Sequence, residues 1–123
     1  MSIMQKLNAI ERKVDGRKPE VSNLKMGNSA LTLAAAATTI AVTSALMTIT
    51  GDAGANTVAT ITGAKSGNIL TLIFVDGNVT ITNTDAHTAN TVDLSAAFTG
   101  ADDTVLQLIF DGTSWYEIAR STN

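Results

Sequence analysis

From Gly51 onward the chain is punctuated about every ten residues by clusters of Gly, Asp and Asn, and this spacing limits the possible folds. Gly51-Asp52-Ala53-Gly54 separates LMTIT from TVATIT, Gly63 to Gly67 separates that run from NILTLIFV, and Asp76-Gly77 separates it from NVTIT. Runs of this length between turn signals are too short for helices and match the strands of an all-β sandwich or barrel. Composition agrees: 19 Thr and 18 Ala stand among 123 residues, and β-branched Thr loses side-chain freedom in a helix but sits well on a pleated surface. A single domain of this length buries roughly two-thirds of its unfolded surface and needs no covalent staples. With no cysteine, disulfides, thiolate metal sites and cysteine nucleophiles are excluded. The expected fold is all-β, an antiparallel sandwich or jelly-roll-like body over residues 29–123, preceded by a short N-terminal helical arm over residues 1–28.

Two Asp-Gly pairs mark expected hairpins. In LTLIFVDGNVTIT, Asp76 and Gly77 tolerate the positive φ angles of a type I′ turn, which would pair Phe74 with Val79 and Leu72 with Ile81. Leu70, Leu72, Phe74, Val79 and Ile81 then share a core face. Thr71, Ile73, Val75, Thr80 and Thr82 share the other, which is apolar enough to expect cover from another sheet or subunit. In VLQLIFDGTSWYEIAR, a three-residue loop starting at Asp111 and Gly112 pairs Leu108 with Tyr116 and Leu106 with Ile118. The two LxLIF copies lie 36 residues apart, but a β-solenoid of stacked coils needs three or more repeats. The uncharged stretch from Met26 to Gly51 is long enough to span a bilayer. Its Thr32, Thr38, Thr39, Thr43, Ser44, Thr48 and Thr50, and the alternation in LTL, TIAVT and LMTIT, predict short strands instead, so no membrane partner is expected.

The charge is divided. Net charge is −3, yet residues 1–28 carry six basic and three acidic side chains, whereas the remainder carries Lys65 and Arg120 against eight acids. The arm has no uninterrupted apolar stretch of secretory-signal length. Its Ile3, Leu7, Ile10 and Val14 are spaced 4, 3, 4, as heptad a and d positions are. Asp15-Gly16 and Pro19 hold the expected helix to about a dozen residues, marginal in isolation, so it must lie on its own domain, on further copies or on a partner. Arg12, Lys13, Arg17 and Lys18 seek an acidic surface. No aromatic residue accompanies them for base stacking, and the acidic body repels phosphate, so nucleic acid is not expected.

Chemistry is sparse. His87 is the only histidine, no nucleophile elbow surrounds a serine, and no phosphate-binding glycine motif follows a strand. Asp85, His87 and Asp93 lack repeated ligand spacing and read as loop residues. No catalytic residue, metal or cofactor is expected. Trp115 and Tyr116 could form a carbohydrate platform, although as strand neighbours they face opposite sides.

The C-terminal residues carry a likeness. ILTLIFVDGNVTIT and DLSAAFTGADDTVLQLIFDGTSWYEIAR, with Leu106, Leu108, Asp111, Gly112, Trp115, Tyr116 and Glu117 in an LxLxxDGxxWYE pattern, resemble a β-rich module that recurs in tailed-bacteriophage virion proteins. The likeness covers about residues 68–123 and leaves out the arm. It implies a non-enzymatic virion component, commonly trimeric. Read as complete at 123 residues from Met1, the chain is expected to be a small decoration or cement protein. Assembled in the host cytoplasm as a homotrimer, it would bind the major capsid protein on the outside of the head. Receptor or glycan binding at a fibre or tail tip is the alternative.

Overall fold

In the computed structural model, which describes residues 27–123, every regular element is a strand. In chain order these are β1 (Asn28–Thr32), β2 (Thr39–Ala41), β3 (Leu46–Thr50), β4 (Asn56–Val58), β5 (Thr60–Thr62), β6 (Ile69–Phe74), β7 (Val79–Ile81), β8 (Val92–Asp93), β9 (Phe98–Thr99), β10 (Thr104–Phe110) and β11 (Trp115–Ser121). The all-β expectation holds. The expected arm helix, with Ile3, Leu7, Ile10, Arg12, Lys13, Val14, Arg17 and Lys18, lies outside the described residues.

The strands do not form an antiparallel sandwich or jelly roll. They make three sheets, ordered β1-β3-β6-β10-β11-β8, β2-β5 and β4-β7-β9. The pairs β1·β3, β3·β6, β2·β5, β4·β7 and β8·β11 are parallel. The chain visits the sheets in turn and returns one strand further along each time, the winding of a short β-solenoid. Asn28 lies beside Leu46 and Leu46 beside Thr71. After β7 the path reverses, and β9, β10 and β11 close the stack with antiparallel pairs.

Alternation explains the packing. Along each strand one side chain in two points into the coil, and the register, parallel between coils and antiparallel at the cap, then stacks similar residues: Met47 on Leu72 on Leu106, Val58 on Ile81 on Phe98, and Ile40 on Ile61. All are essentially inaccessible, each contributing roughly 1.5–3 kcal/mol on burial. The outward positions account for the Thr excess. Thr39 and Thr60 join through their hydroxyls at 2.7 Å, and Thr80 and Thr99 at 3.0 Å, as cross-strand Thr pairs do.

The first Asp-Gly pair is a corner, not a hairpin tip. β6 pairs with β3 and β10, and β7 with β4 and β9. Asp76 accepts bonds from the backbone N–H of Asn78 and, across to the preceding coil, of Gly51 at 3.0 Å, which turns the chain into the next sheet. Gly77 is outside the positive-φ region that a type I′ turn requires. Leu70, Leu72, Phe74, Val79 and Ile81 nevertheless all face inward, because a corner preserves inside and outside as a hairpin does. The tight packing of the cap leaves no room for a side chain at Gly100, whose added Cβ would lie 2.7 Å from the Phe74 ring.

The second Asp-Gly pair does begin a hairpin, β10 with β11, but in a different register. Phe110 faces Trp115, Leu108 faces Glu117, and after a β-bulge Leu106 faces Arg120. The Asp111 carboxylate accepts from the N–H groups of Thr113 and Ser114, both at 2.8 Å, and Gly112 takes φ +102°. Together they close a four-residue loop in place of the expected three.

Candidate interaction surface

The residues that pack the coil also determine what it shows to solvent. In the six-stranded sheet the outward side chains fall into rows. Asp93, Tyr116, Ile109 and Ile69 form one row, with Asp93 at the β8 edge, Gln107, Thr71 and Leu46 a second, and Val105, Ile73 and Thr48 a third. The strands β1, β3, β6 and β10 contain no ionisable residue. Gln107 crosses to the Thr71 hydroxyl at 3.3 Å, so its amide is engaged within the face. Four large hydrophobic residues are exposed among the described residues: Ile69 at 46%, Val75 at 44%, Ile109 at 37% and Ile118 at 48%. All lie on strands of this sheet or directly after one: Val75 follows β6, and Ile118 occupies the bulge in β11. Scattered exposed apolar residues need no explanation, but a contiguous patch marks an interaction surface.

Most of the body's charge sits at the turns. Asp52, Asp76, Asp102, Asp103 and Asp111 all lie between strands. Arg120 and Glu117 form an ion pair on β11, Nε to Oε1 at 2.6 Å and Nη2 to Oε2 at 2.7 Å. Glu117 also accepts from the Ser95 N–H and hydroxyl, while Arg120 donates to the Ala96 carbonyl and lies over the Phe98 ring. This clamp ties the 95–96 turn to β11. It also accommodates Glu117 opposite Leu108, a placement that apolar patterning disfavours. Bonding from Arg120 and then the Ser95 N–H holds the Glu117 carboxyl at about 2, against the opposing effect of burial. Asp111 is likewise held at about 2, chiefly by the Ser114 and Thr113 N–H groups, with His87 Nε2 2.8 Å from its other oxygen.

Both carboxyls are depressed below their ordinary values, so the stability they confer is full above about pH 4 and is lost as pH falls towards about 2. Asp111→Asn and Glu117→Gln are therefore expected to flatten the acid limb of a stability-against-pH curve in that window. Urea titrations across it read the effect; a variant as acid-sensitive as the parent would contradict the assignment.

An open groove of about 420 Å³ beside β8 and β11 is lined by Asp93, Leu94, Ser95, Tyr116, Glu117 and Ile118. Burial first, then Asp111 and Asp93, pushes the Tyr116 hydroxyl up from its ordinary value. Trp115 takes no part in any carbohydrate platform. It is inaccessible, its ring lies 4.9 Å from that of Phe110, and its Nε1 donates to the Ile61 carbonyl at 2.9 Å.

Among the described residues no group of three or more His, Asp or Glu side chains is arranged to hold a metal ion, and no helix is long and apolar enough to cross a membrane. Asp85 bonds Asn83, and His87 bonds Asp111. Asp76, Gly77, Asp111 and Gly112 are structural turn residues, placed as described above. No local pattern signals the Glu117–Arg120–Ser95 clamp, which depends on a bulge that shifts the register. No protein-family model, curated protein or solved structure matches the chain.

Proposed function

We propose that this chain is a structural virion protein, a capsid decoration or cement protein that assembles as a homotrimer on the outer surface of a tailed-phage head. The observation that carries the reading is the sheet face, uncharged across β1, β3, β6 and β10, with exposed Ile69, Val75 and Ile109 and with most of the charge gathered at the surrounding turns. Such a surface is adhesive rather than reactive. The resemblance of residues 68–123 to a phage virion module supplies the setting.

Mechanism here is adhesion. A packaged genome strains the shell, and a protein that binds only the expanded lattice stabilises it by mass action. The arm is the capsid-contacting element, with Ile3, Leu7, Ile10 and Val14 buried against partners and Arg12, Lys13, Arg17 and Lys18 meeting capsid carboxylates. Charges at the rim of such a contact set register and association rate more than affinity. Removing residues 1–20 is expected to abolish addition to expanded heads while the far-ultraviolet β signal is retained. Co-sedimentation with heads made from the major capsid protein of the same genome reads this. Unchanged decoration by the shortened chain would overturn the role of the arm. The rival reading, a glycan-binding tip, keeps Tyr116 but loses Trp115 to the core.

A further inference from the structure

We infer that the outer face of the six-stranded sheet is the surface through which copies of the chain pack on one another. The inference rests on the self-association in the proposed function and specifies where it occurs.

Charge selects the occupant. The described body carries eight acidic and two basic side chains, so an approach that brings the turns together opposes like charges. A basic partner would be drawn to those same turns. Across β1, β3, β6 and β10 and the outward Tyr116, Ala119 and Ser121 of β11 the face has no charge to offer a partner of either sign, Asp93 of β8 standing beside Tyr116 at its edge, and its Ile, Val and Thr side chains are complementary to themselves. Short, mostly β-branched side chains on a twisted sheet also suit face-to-face packing at about 10 Å.

Size sets the strength. Five strands about 4.8 Å apart and roughly six residues long at about 3.3 Å each cover on the order of 500 Å² per copy. That gives about 1,000 Å² in total, the lower bound for a specific interface. Association of the free chain should therefore depend on concentration, and an array of bound copies would reinforce it by multivalency. Three such faces turned towards one axis make the proposed homotrimer.

Ile109 and Ile69 are exposed enough to accept a charge without disturbing the core. Light scattering on the full chain across micromolar concentrations is expected to show an oligomer. Ile109→Glu and Ile109→Lys should each be monomeric with an unchanged β signal, and mixing the two should restore the oligomer mass. Thr57→Glu, on the outer side of β4, should behave as the parent. If a charge at Ile109 unfolds the chain, the same pair at Ile69 replaces it. Variants that keep the parent mass would overturn the inference and point to another contact, such as edge pairing through β1, while leaving the capsid reading intact. Charged variants that fold but do not recombine on mixing would also overturn it. A monomeric parent would remove self-association from both proposals. Failure to decorate heads by a chain that oligomerises as expected would sink the capsid reading alone.

Discussion

Trp115→Ala is expected to lower the stability of the body by about 4–8 kcal/mol, the largest loss from any single truncation here. The indole is inaccessible and lies against Phe110 across the β10–β11 pair. Truncating a buried Trp leaves a cavity costing about 3–5 kcal/mol, because the surrounding side chains relax only partly. The same change removes the Nε1 donor of the Ile61 carbonyl, and an orphaned buried acceptor adds about 1–3 kcal/mol. Trp115 therefore joins the antiparallel cap to β5 of the second coil, 54 residues away in sequence. A domain of this size is typically stable by only about 5–15 kcal/mol, so the variant should be partly unfolded at room temperature or melt at least roughly 15 °C lower. Trp115→Phe separates the two terms. It keeps most of the ring packing, loses the hydrogen bond and should cost about 1–3 kcal/mol. Urea denaturation followed by far-ultraviolet circular dichroism measures both, and a loss below about 2 kcal/mol for Trp115→Ala would refute the account of the cap.

What was legible in the sequence follows from what alternation encodes. A period of two tells which side chains face inward, and Leu70, Leu72, Phe74, Val79 and Ile81 were placed correctly on that basis. It says nothing about partners, because an antiparallel hairpin and a parallel coil present the same pattern. The choice is made at the corner, where Asp76 bonds Gly51, 25 residues earlier. Coil lengths hid the winding as well. From Asn28 to Leu46 is 18 residues and from Leu46 to Thr71 is 25, so no fixed period appears. The two similar LxLIF segments are not successive coils at all: β6 and β10 lie side by side and antiparallel. The second hairpin was readable because Asp111 acts within three residues, on Thr113 and Ser114. Its register was not, because the bulge at Ile118 leaves no local signal. Of the candidate surface, the sequence identified Ile73 and Val75 as an apolar outward set. It could not show that Ile69 and Ile109 join them, since that depends on β10 lying beside β6.

The corners also hold the coils to one another, and Asn56 tests this most directly. Its side chain is 1% exposed and reaches in two directions. Oδ1 accepts from the Asp52 N–H at 2.7 Å within its own corner, while Nδ2 donates to the Ala34 and Ala37 carbonyls of the first coil at 3.0 and 3.3 Å. Those carbonyls flank the tetra-alanine turn, in which Ala36 takes φ 59°, a conformation costly for a residue with a Cβ and held in place by its surroundings. Asn56→Ala removes the clip and leaves the Asp52 N–H and the Ala37 carbonyl unpaired, the Ala34 carbonyl keeping only the Ala37 N–H, so about 2–4 kcal/mol should be lost. Asn56→Asp keeps the shape and the acceptor for Asp52 but points a carboxylate at two carbonyl oxygens. The introduced carboxyl should be raised above its unfolded value. The destabilisation is then full at neutral pH and relieved as pH falls and the group gains a proton it can donate. That slope is opposite in sign to those of Asp111 and Glu117, so the two effects separate in one pair of titrations. A cost for Asn56→Ala below about 1 kcal/mol, or a gap between parent and Asn56→Asp that does not narrow with acid, would mean that the coils are held by their ladders alone.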